Sequence, residues 1–300
     1  MQPLALPPSL LGPQQFTFLN REGAVEQSGD WNATERDKLW LYNLHYFDDL
    51  NAAQANQRTV WHRALIARWI ADNSPGQGNG WEPYPTSLRI VNWLKWALYG
   101  NALEAQWVQS LAVQTRWLRK HLEWHLLGNH LFANAKALVF AGALFSGPEA
   151  DEWFARGLAI LEREVPEQIL MDGGHFERSP MYHAIILGDL LDLLNMARVY
   201  PGLFSERLLA QWRAVVQRMR RWMASMIHPD GGVSFFNDAA LGIAPEYSAL
   251  EAYAERLALP ENDPVTEGAT QLSDSGYIRL ARGGAVAILD VAPVGPDYLP

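Results

Sequence analysis

Helical signals recur through most of the chain, and loops rich in glycine, proline and polar residues separate them. Paired helices joined alternately by short turns and long loops favour an α/α toroid over a compact four-helix bundle. The clearest segment carries an apolar stripe whose spacings alternate between four and three residues, which is typical of a helix that faces a core. That stripe consists of Leu208, Trp212, Val215, Met219, Trp222 and Met226. The predicted helices cover 58–72, 87–99, 103–123, 130–145, 150–164, 180–199, 205–227 and 246–257.

The start of the chain shows no hydrophobic period. Residues 1–33 are rich in Pro, Gly and polar residues, so we expect an irregular lead-in. Thr34 is of a residue type that caps helices, and the segment ERDKLW after it predicts a first helix. This helix would place Trp40, Leu44 and Phe47 on one face.

The last thirty residues change character. Two predicted strands, 277–281 and 285–291, flank an Arg-Gly-Gly turn. Because an isolated hairpin is marginal in water, we expect further strands beside it. The sequence therefore predicts a lead-in at 1–33, an α/α toroid that binds substrate at 34–270, and the start of an incomplete β-sheet domain at 271–300.

Composition excludes several classes of protein. A chain of 300 residues with 49% hydrophobic content is long enough for a large core, and its net charge of -9 argues against a nucleic-acid partner. Because there is no cysteine, disulfides, zinc-cysteine sites and thiol nucleophiles are excluded. The opening segment MQPLALPPSLLGPQQF lacks the features of a signal peptide, and no apolar stretch predicts membrane insertion. The 13 tryptophans are about three times the ordinary number, which suits either sugar binding or a helical core.

The segment GNHLFANAKAL places Asn129 and His130 at the start of a helix. Asn129 is of a residue type that caps helices, and capping alone would explain it. Capping does not explain His130, so both residues are candidates for chemistry.

A second candidate segment is GGHFERSPMYHAIILGDLL. Ser179 as a cap and Pro180 in the first turn predict a helix start. Tyr182 and His183 would lie near the exposed amides and positive dipole end of this helix, which suits an anionic ligand. That field would lower the pKa of the Tyr182 phenol toward a useful value, unless the ring simply packs with its hydroxyl in water. The preceding loop adds His175, Glu177 and Arg178, and we expect Glu177, Arg178 and His183 to bind substrate.

Three further segments carry polar or aromatic candidates. Trp81 and Tyr84 are suited to stacking on sugar rings, with Trp81 favoured because it lies among loop residues. Arg89 and Asn92, three residues apart, would share a helix face and grip a carboxylate. His45 lies off an apolar helix face and is a further candidate for substrate binding, although a lone histidine on a helix is usually structural. The segment HPDGGVSFFNDA supplies His228, Asp230, Asn237 and Asp238, whose carboxylates suit a metal, an acid or base role, or the turn alone.

The strings LWLYNLHYFDDL, WEPYPTSLRIVNW, GNHLFANAKAL and DGGHFERSPMYH, in this order, resemble the helical domain of bacterial heparinase II/III-like polysaccharide lyases. They span roughly 39–183, and DGGVSFFND and the terminal hairpin extend the resemblance over most of the chain. The resemblance implies an α/α toroid followed by an antiparallel β-sandwich domain, with the active site in the cleft between them.

The resemblance also implies β-elimination on a polysaccharide that contains uronic acid. Asn129 matches the family asparagine that stabilises charge on the uronate carboxyl, and we expect His130 and an arginine to assist it. Tyr182 matches the family tyrosine that transfers the proton. No cofactor is needed. The family implies periplasmic or extracellular action on an acidic polysaccharide, and the sequence does not indicate an oligomeric state.

One departure from the family pattern is expected to matter. Family members take a further catalytic histidine from the start of the β-domain, and 294–300 end the chain about where that segment should begin. We therefore expect this chain alone to bind glycan weakly and to catalyse poorly. Two alternatives stay open: an α/α-barrel glycoside hydrolase with Glu177 and Asp238 as its carboxylates, or a glycan-binding protein without turnover.

Overall fold

The computed structural model describes residues 1–293, which are mainly helical with two short antiparallel sheets. The helices are α1 (Lys38–Tyr46), α2 (Thr59–Asp72), α3 (Pro83–Leu98), α4 (Ala105–Lys120), α5 (Gly128–Leu144), α6 (Pro148–Gln168), α7 (Pro180–Val199), α8 (Glu206–Ser225) and α9 (Tyr247–Arg256). The strands are β1 (Leu10–Gly12), β2 (Gln15–Phe18), β3 (Arg21–Ala24), β4 (Gly268–Leu272), β5 (Tyr277–Arg282) and β6 (Ala285–Asp290). Each predicted helix is confirmed to within a few residues at its ends.

The chain forms two compact units. The first contains Met1–Leu126 and His130–Leu161, and the second contains Leu127–Asn129 and the chain from Glu162 onward. The predicted border at residue 270 falls inside β4, and 294–300 lie outside the described residues.

The N-terminal lead-in was predicted to be irregular, but the structure shows a small sheet there. Strands β1, β2 and β3 form an antiparallel sheet in which Phe16 lies opposite Gly23. Phe16 is 3% exposed, and the Nε1 of Trp40 donates to the backbone oxygen of Arg21 at 3.0 Å. Strands of three or four residues are too short to show a hydrophobic period, so no pattern of residues predicted them.

The first helix starts later than predicted. Asp37, not Thr34, caps α1, because its side chain accepts from the backbone N–H groups of Leu39 at 2.9 Å and Trp40 at 3.3 Å. Trp40 and Leu44 are buried on one face of α1 as predicted, but Phe47 lies just after the end of the helix, in a left-handed conformation, where it is also buried.

In the second unit, Ser179 caps α7 and Pro180 occupies its first turn, as predicted. The core stripe of α8 is confirmed except at one position, where Val216 is buried in place of Val215. The predicted hairpin is also confirmed, and β4 adds a third strand by pairing with β5. Gly283 and Gly284 both have positive φ at the hairpin turn, a conformation that glycine adopts without a steric cost.

Most of the tryptophan excess fills the core. Eight of the 13 tryptophans are less than 2% exposed, so core packing rather than sugar binding accounts for them. They are Trp31, Trp69, Trp93, Trp96, Trp107, Trp153, Trp212 and Trp222. Within residues 1–293, no helix has the length and hydropathy needed to cross a bilayer.

Candidate active site

Tyr182 lies in the first turn of α7, and its phenol donates to Oδ2 of Asp238 at 3.2 Å. Burial, and next the negative charge of Asp238, raise the pKa of Tyr182 to about 12. The charge of Glu177 adds to this effect. The predicted lowering of this pKa is therefore wrong, because the loss of hydration and the nearby carboxylates outweigh the field of the helix end. The phenol keeps its proton at neutral pH and can act as an acid.

A network of hydrogen bonds in the second unit holds the backbone at Arg178. The Nδ2 of Asn237 donates to Oη of Tyr277 at 2.8 Å and to Oδ2 of Asp290 at 2.9 Å. The Tyr277 hydroxyl in turn donates to the backbone oxygen of Arg178 at 2.7 Å. Asn237, Asp238 and Arg178 have φ values of 47°, 57° and 58°, and such strain costs about 1–3 kcal/mol at each non-glycine residue. The hydrogen-bond network holds this strained backbone in place.

The guanidinium of Arg178 is suited to an anion. Its Nε and Nη1 atoms are buried and make no hydrogen bond within the part of the chain that the structure describes. A buried cationic donor without an acceptor is costly, and a carboxylate oxygen would satisfy either nitrogen. This geometry is consistent with the predicted role of Arg178 in substrate binding, and Asn237 helps to fix its backbone.

Gln168 ties the segment that carries Asn129 to the loop before Tyr182. Its Nε2 donates to the backbone oxygen of Gly128 at 3.0 Å, and its Oε1 accepts from Nε2 of His175 at 3.1 Å. Since α5 begins at Gly128, Asn129 lies inside the first turn and is not the cap. Sequence reasoning missed Gln168, since a buried glutamine inside an amphipathic helix gives no local signal.

His175 and His183 are structural. Both are fully buried, and burial lowers the pKa of each to about 3. The Nδ1 of His183 accepts from the backbone N–H of His175, and its Nε2 donates to the backbone oxygen of Met219 at 3.0 Å. The ring of His183 also stacks on Trp222 and is 0% exposed, and substrate binding by this residue stays a prediction.

In the first unit, His130 pairs with a carboxylate that sequence reasoning missed. Its Nδ1 lies 3.0 Å from Oε1 of Glu123, which is 5% exposed. The side chain of His130 is 31% exposed. One face of the Tyr84 ring lies against His130, with the ring centroids 4.4 Å apart. Stacking of Tyr84 on a sugar stays a prediction.

Trp81 does not lie at the surface as its loop position predicts, and its stacking on a sugar stays a prediction. It is 4% exposed and packs between Trp69 and Trp117, with ring centroids 5.9 Å and 6.1 Å away. Its Nε1 donates to the backbone oxygen of Asn73 at 3.3 Å. Glycine-rich loops usually remain at the surface, but this one folds inward around its tryptophan.

Three other predicted substrate-binding residues of the first unit are buried. Arg89 is 0% exposed, donates to Oε1 of Gln114 at 2.9 Å and covers the Trp69 ring at 3.8 Å. Asn92 is 4% exposed and donates to the backbone oxygen of Tyr46 at 2.9 Å. His45 is 0% exposed, and burial lowers its pKa to about 3. Their polar atoms hold neighbouring segments together, and substrate binding by these residues stays a prediction.

Metal ligands are not grouped in the described part of the chain. Among residues 1–293, no three His, Asp or Glu side chains come together in a way that would hold an ion.

Comparison with known proteins gives a consistent result. The family model described as Heparinase II/III N-terminus matches residues 29–262. The chain is 33% identical over 115 residues to a heparin-sulfate lyase of Bacteroides stercoris. That alignment covers 38% of this chain and 17% of the relative. It is 24% identical over 222 residues to a heparin-sulfate lyase of Pedobacter heparinus, covering 70% of this chain and 30% of that relative.

Solved structures share the fold. Heparinase III superposes with a TM-score of 0.69 at 20% identity, over 89% of this chain and 48% of that chain. The heparan sulfate lyase HepC of Pedobacter heparinus gives a TM-score of 0.56 at 20% identity, over 95% of this chain and 50% of that chain. The predicted fold class, mainly α with an α/α toroid and C-terminal antiparallel strands, is confirmed. The chain spans about half the length of these solved chains and less than a third of the curated relatives.

The family model covers most of the chain, and the curated relatives and the shared fold agree with it. The chain therefore belongs to the heparinase II/III family.

Proposed function

We propose that this chain is the helical, substrate-binding part of a polysaccharide lyase that cleaves a uronic-acid polymer by β-elimination. Family membership and the names of the relatives, which are heparin-sulfate lyases, support this reaction class and an acidic polysaccharide substrate. We further propose periplasmic or extracellular action, because the substrate is a large polymer.

Elimination needs three groups. The proton on C5 of a uronate is weakly acidic, so charge on the adjacent carboxyl must first be stabilised. We assign this task to the Asn129 amide and to the unpaired guanidinium nitrogens of Arg178. A base then removes the C5 proton, and an acid protonates the leaving glycosidic oxygen.

The observation that carries the proposal is the protonated phenol of Tyr182, held beside Asp238 at the start of α7. A phenol whose pKa is raised to about 12 keeps its proton until a stronger base, such as a departing alkoxide, is formed. We therefore assign Tyr182 as the acid. We also propose that a histidine of the family's β-domain completes the site, as the resemblance implies.

The test uses the conjugated product of elimination, which absorbs in the ultraviolet, whereas hydrolysis creates no double bond. A panel of uronic-acid polysaccharides, sulfated and unsulfated, is incubated with this chain and with a longer chain that continues through the β-domain. We expect absorbance with the longer chain and little with the shorter one. Reducing ends without absorbance would favour a hydrolase with Glu177 and Asp238 as its carboxylates, and binding without turnover would favour a glycan-binding protein.

A further inference from the structure

Glu123 is placed to control the ring of His130. Its Oε1 lies 3.0 Å from Nδ1 of His130, and its Oε2 accepts from Nδ2 of Asn134 at 2.9 Å. Because a carboxylate only accepts, Nδ1 of His130 must carry a proton. The neutral ring then has its lone pair on Nε2.

The carboxylate of Glu123 is oriented by a chain of hydrogen bonds through Asn134 and Ser87. Oδ1 of Asn134 accepts from the backbone N–H of Glu123 at 2.8 Å, so the amide nitrogen of Asn134 must point toward Oε2. That nitrogen also donates to Oγ of Ser87 at 3.0 Å, and Ser87 donates to the backbone oxygen of Pro83 at 2.8 Å. The side-chain amide of Asn134 and the hydroxyl of Ser87 both have hydrogen-bond partners, and both residues are 0% exposed. Such a chain fixes one orientation of the carboxylate and hence one tautomer of the histidine.

The opposite side of His130 is open. Its side chain is 31% exposed, although Tyr84 covers one face of the ring. Within residues 1–293, the hydrogen bond of this ring is made by Nδ1, which leaves Nε2 for a ligand. A lone pair on Nε2 accepts a proton and cannot donate to a carboxylate oxygen, so this tautomer suits a base better than the carboxyl-stabilising role expected from the sequence.

We propose that Glu123 is a positioning residue that holds the Nδ1 proton of His130 and thereby presents the Nε2 lone pair as the base for the C5 proton of the substrate. This inference rests on the proposed lyase function. The C5–H bond breaks and its proton moves to Nε2, while its electron pair forms the C4–C5 double bond. The C4–O bond breaks at the same time, and the leaving oxygen takes a proton from the acid of the reaction.

Glu123→Gln makes the tautomer testable. The amide nitrogen of Asn134 requires an acceptor, so the glutamine oxygen must face Asn134 and its NH₂ group must face His130. Nδ1 of His130 then has to accept, and its proton moves to Nε2. The variant keeps the size of the side chain and reverses the tautomer. Glu104→Gln is the matched control, because Glu104 is an exposed carboxylate paired with Arg63.

The experiment combines nitrogen NMR of isotopically labelled histidine with steady-state kinetics of the longer chain. We expect Nδ1 of His130 to be protonated in the wild type and in Glu104→Gln, and Nε2 to be protonated in Glu123→Gln. We also expect kcat of Glu123→Gln to fall on the order of 10²-fold with little change in KM.

Either of two results would overturn the proposal. One is a wild-type His130 protonated on Nε2 alone, a measurement that does not depend on any variant folding. The other is an unchanged kcat in a Glu123→Gln variant whose tautomer has switched. If the wild-type longer chain forms no unsaturated product, the proposed function fails and the base role fails with it, whereas a failed tautomer with normal product formation overturns this inference alone.

Discussion

The phenol of Tyr182 donates to the carboxylate of Asp238 across 3.2 Å, although the two residues are 56 positions apart in the chain. The contact joins the start of α7 to the loop after α8. Because burial opposes ionisation of the phenol and the charge of Asp238 adds to this effect, the tyrosine keeps its proton. The proposed acid of the reaction is therefore defined by packing as much as by residue type.

Replacing Tyr182 by Phe removes this proton and leaves the ring. We expect kcat for unsaturated product to fall about 10²–10⁴-fold, with a small effect on KM. Tyr200→Phe is the control, since Tyr200 lies at the other end of α7. Full turnover by Tyr182→Phe would remove this residue from the chemistry.

Asp238→Asn should lower the pKa of Tyr182 from about 12 toward its ordinary value near 10, because a negative charge that opposes the phenolate is removed. Burial remains, so the ordinary value should not be reached. Subtracting the ultraviolet titration of a Tyr182→Phe background from that of each protein isolates this phenol. Asp230→Asn, in an exposed turn, should leave the midpoint in place. An Asp238→Asn midpoint equal to that of the wild type would show that the carboxylate does not act on the phenol.

Trp81→Ala should lower the free energy of unfolding and leave the glycan affinity of the folded protein unchanged. The side chain is 4% exposed between two other tryptophans, and removing a buried tryptophan costs about 3–5 kcal/mol. Trp124→Ala is the matched comparison, because Trp124 is 41% exposed and should cost much less. Urea unfolding measures both. Equal losses in the two variants, or weaker glycan binding by Trp81→Ala at unchanged stability, would restore the sugar-platform interpretation.

Acid should destabilise the fold through its buried histidines. His45, His175 and His183 have pKa values of about 3 because they are buried, against an ordinary value near 6.5. The unfolded chain binds these protons first, so the free energy of unfolding is highest above about pH 6.5 and falls as pH decreases toward 3, by up to about 1.4 kcal/mol per pH unit for each group.

Urea titrations near pH 7 and pH 5 measure this slope. His183→Gln should reduce it, whereas His125→Gln, at an exposed position, should not. A wild-type stability that is constant or rises on acidification across this interval would contradict the assignment of these histidines as neutral.

The sequence predicted what depends on local order. Helix periods and the Ser179–Pro180 start were sufficient to locate α7 and the tyrosine in its first turn. Burial was harder to predict, because the glycine-rich loop around Trp81 resembles a surface loop and yet carries a core residue. The pKa of Tyr182 was predicted in the wrong direction, since the helix dipole is readable from sequence and desolvation is not.

Long-range pairs could not be predicted at all. Glu123 precedes α5 in an irregular segment, so no helical spacing relates it to His130. The same holds for Arg178, whose unpaired guanidinium nitrogens depend on a backbone held by Tyr277 and Asn237 far along the chain. Such groups become visible only when hydrogen bonds are followed atom by atom.

The central claim is that the glycosidic bond is broken by elimination and not by water. The most direct measurement is mass spectrometry of product formed by the longer chain in water labelled with heavy oxygen, reduced at once to prevent exchange at the new chain end. Elimination retains the original oxygen on the released fragment, so we predict unsaturated product without label. One labelled oxygen per cleavage, in a saturated product, would contradict the claim and assign the chain to hydrolysis.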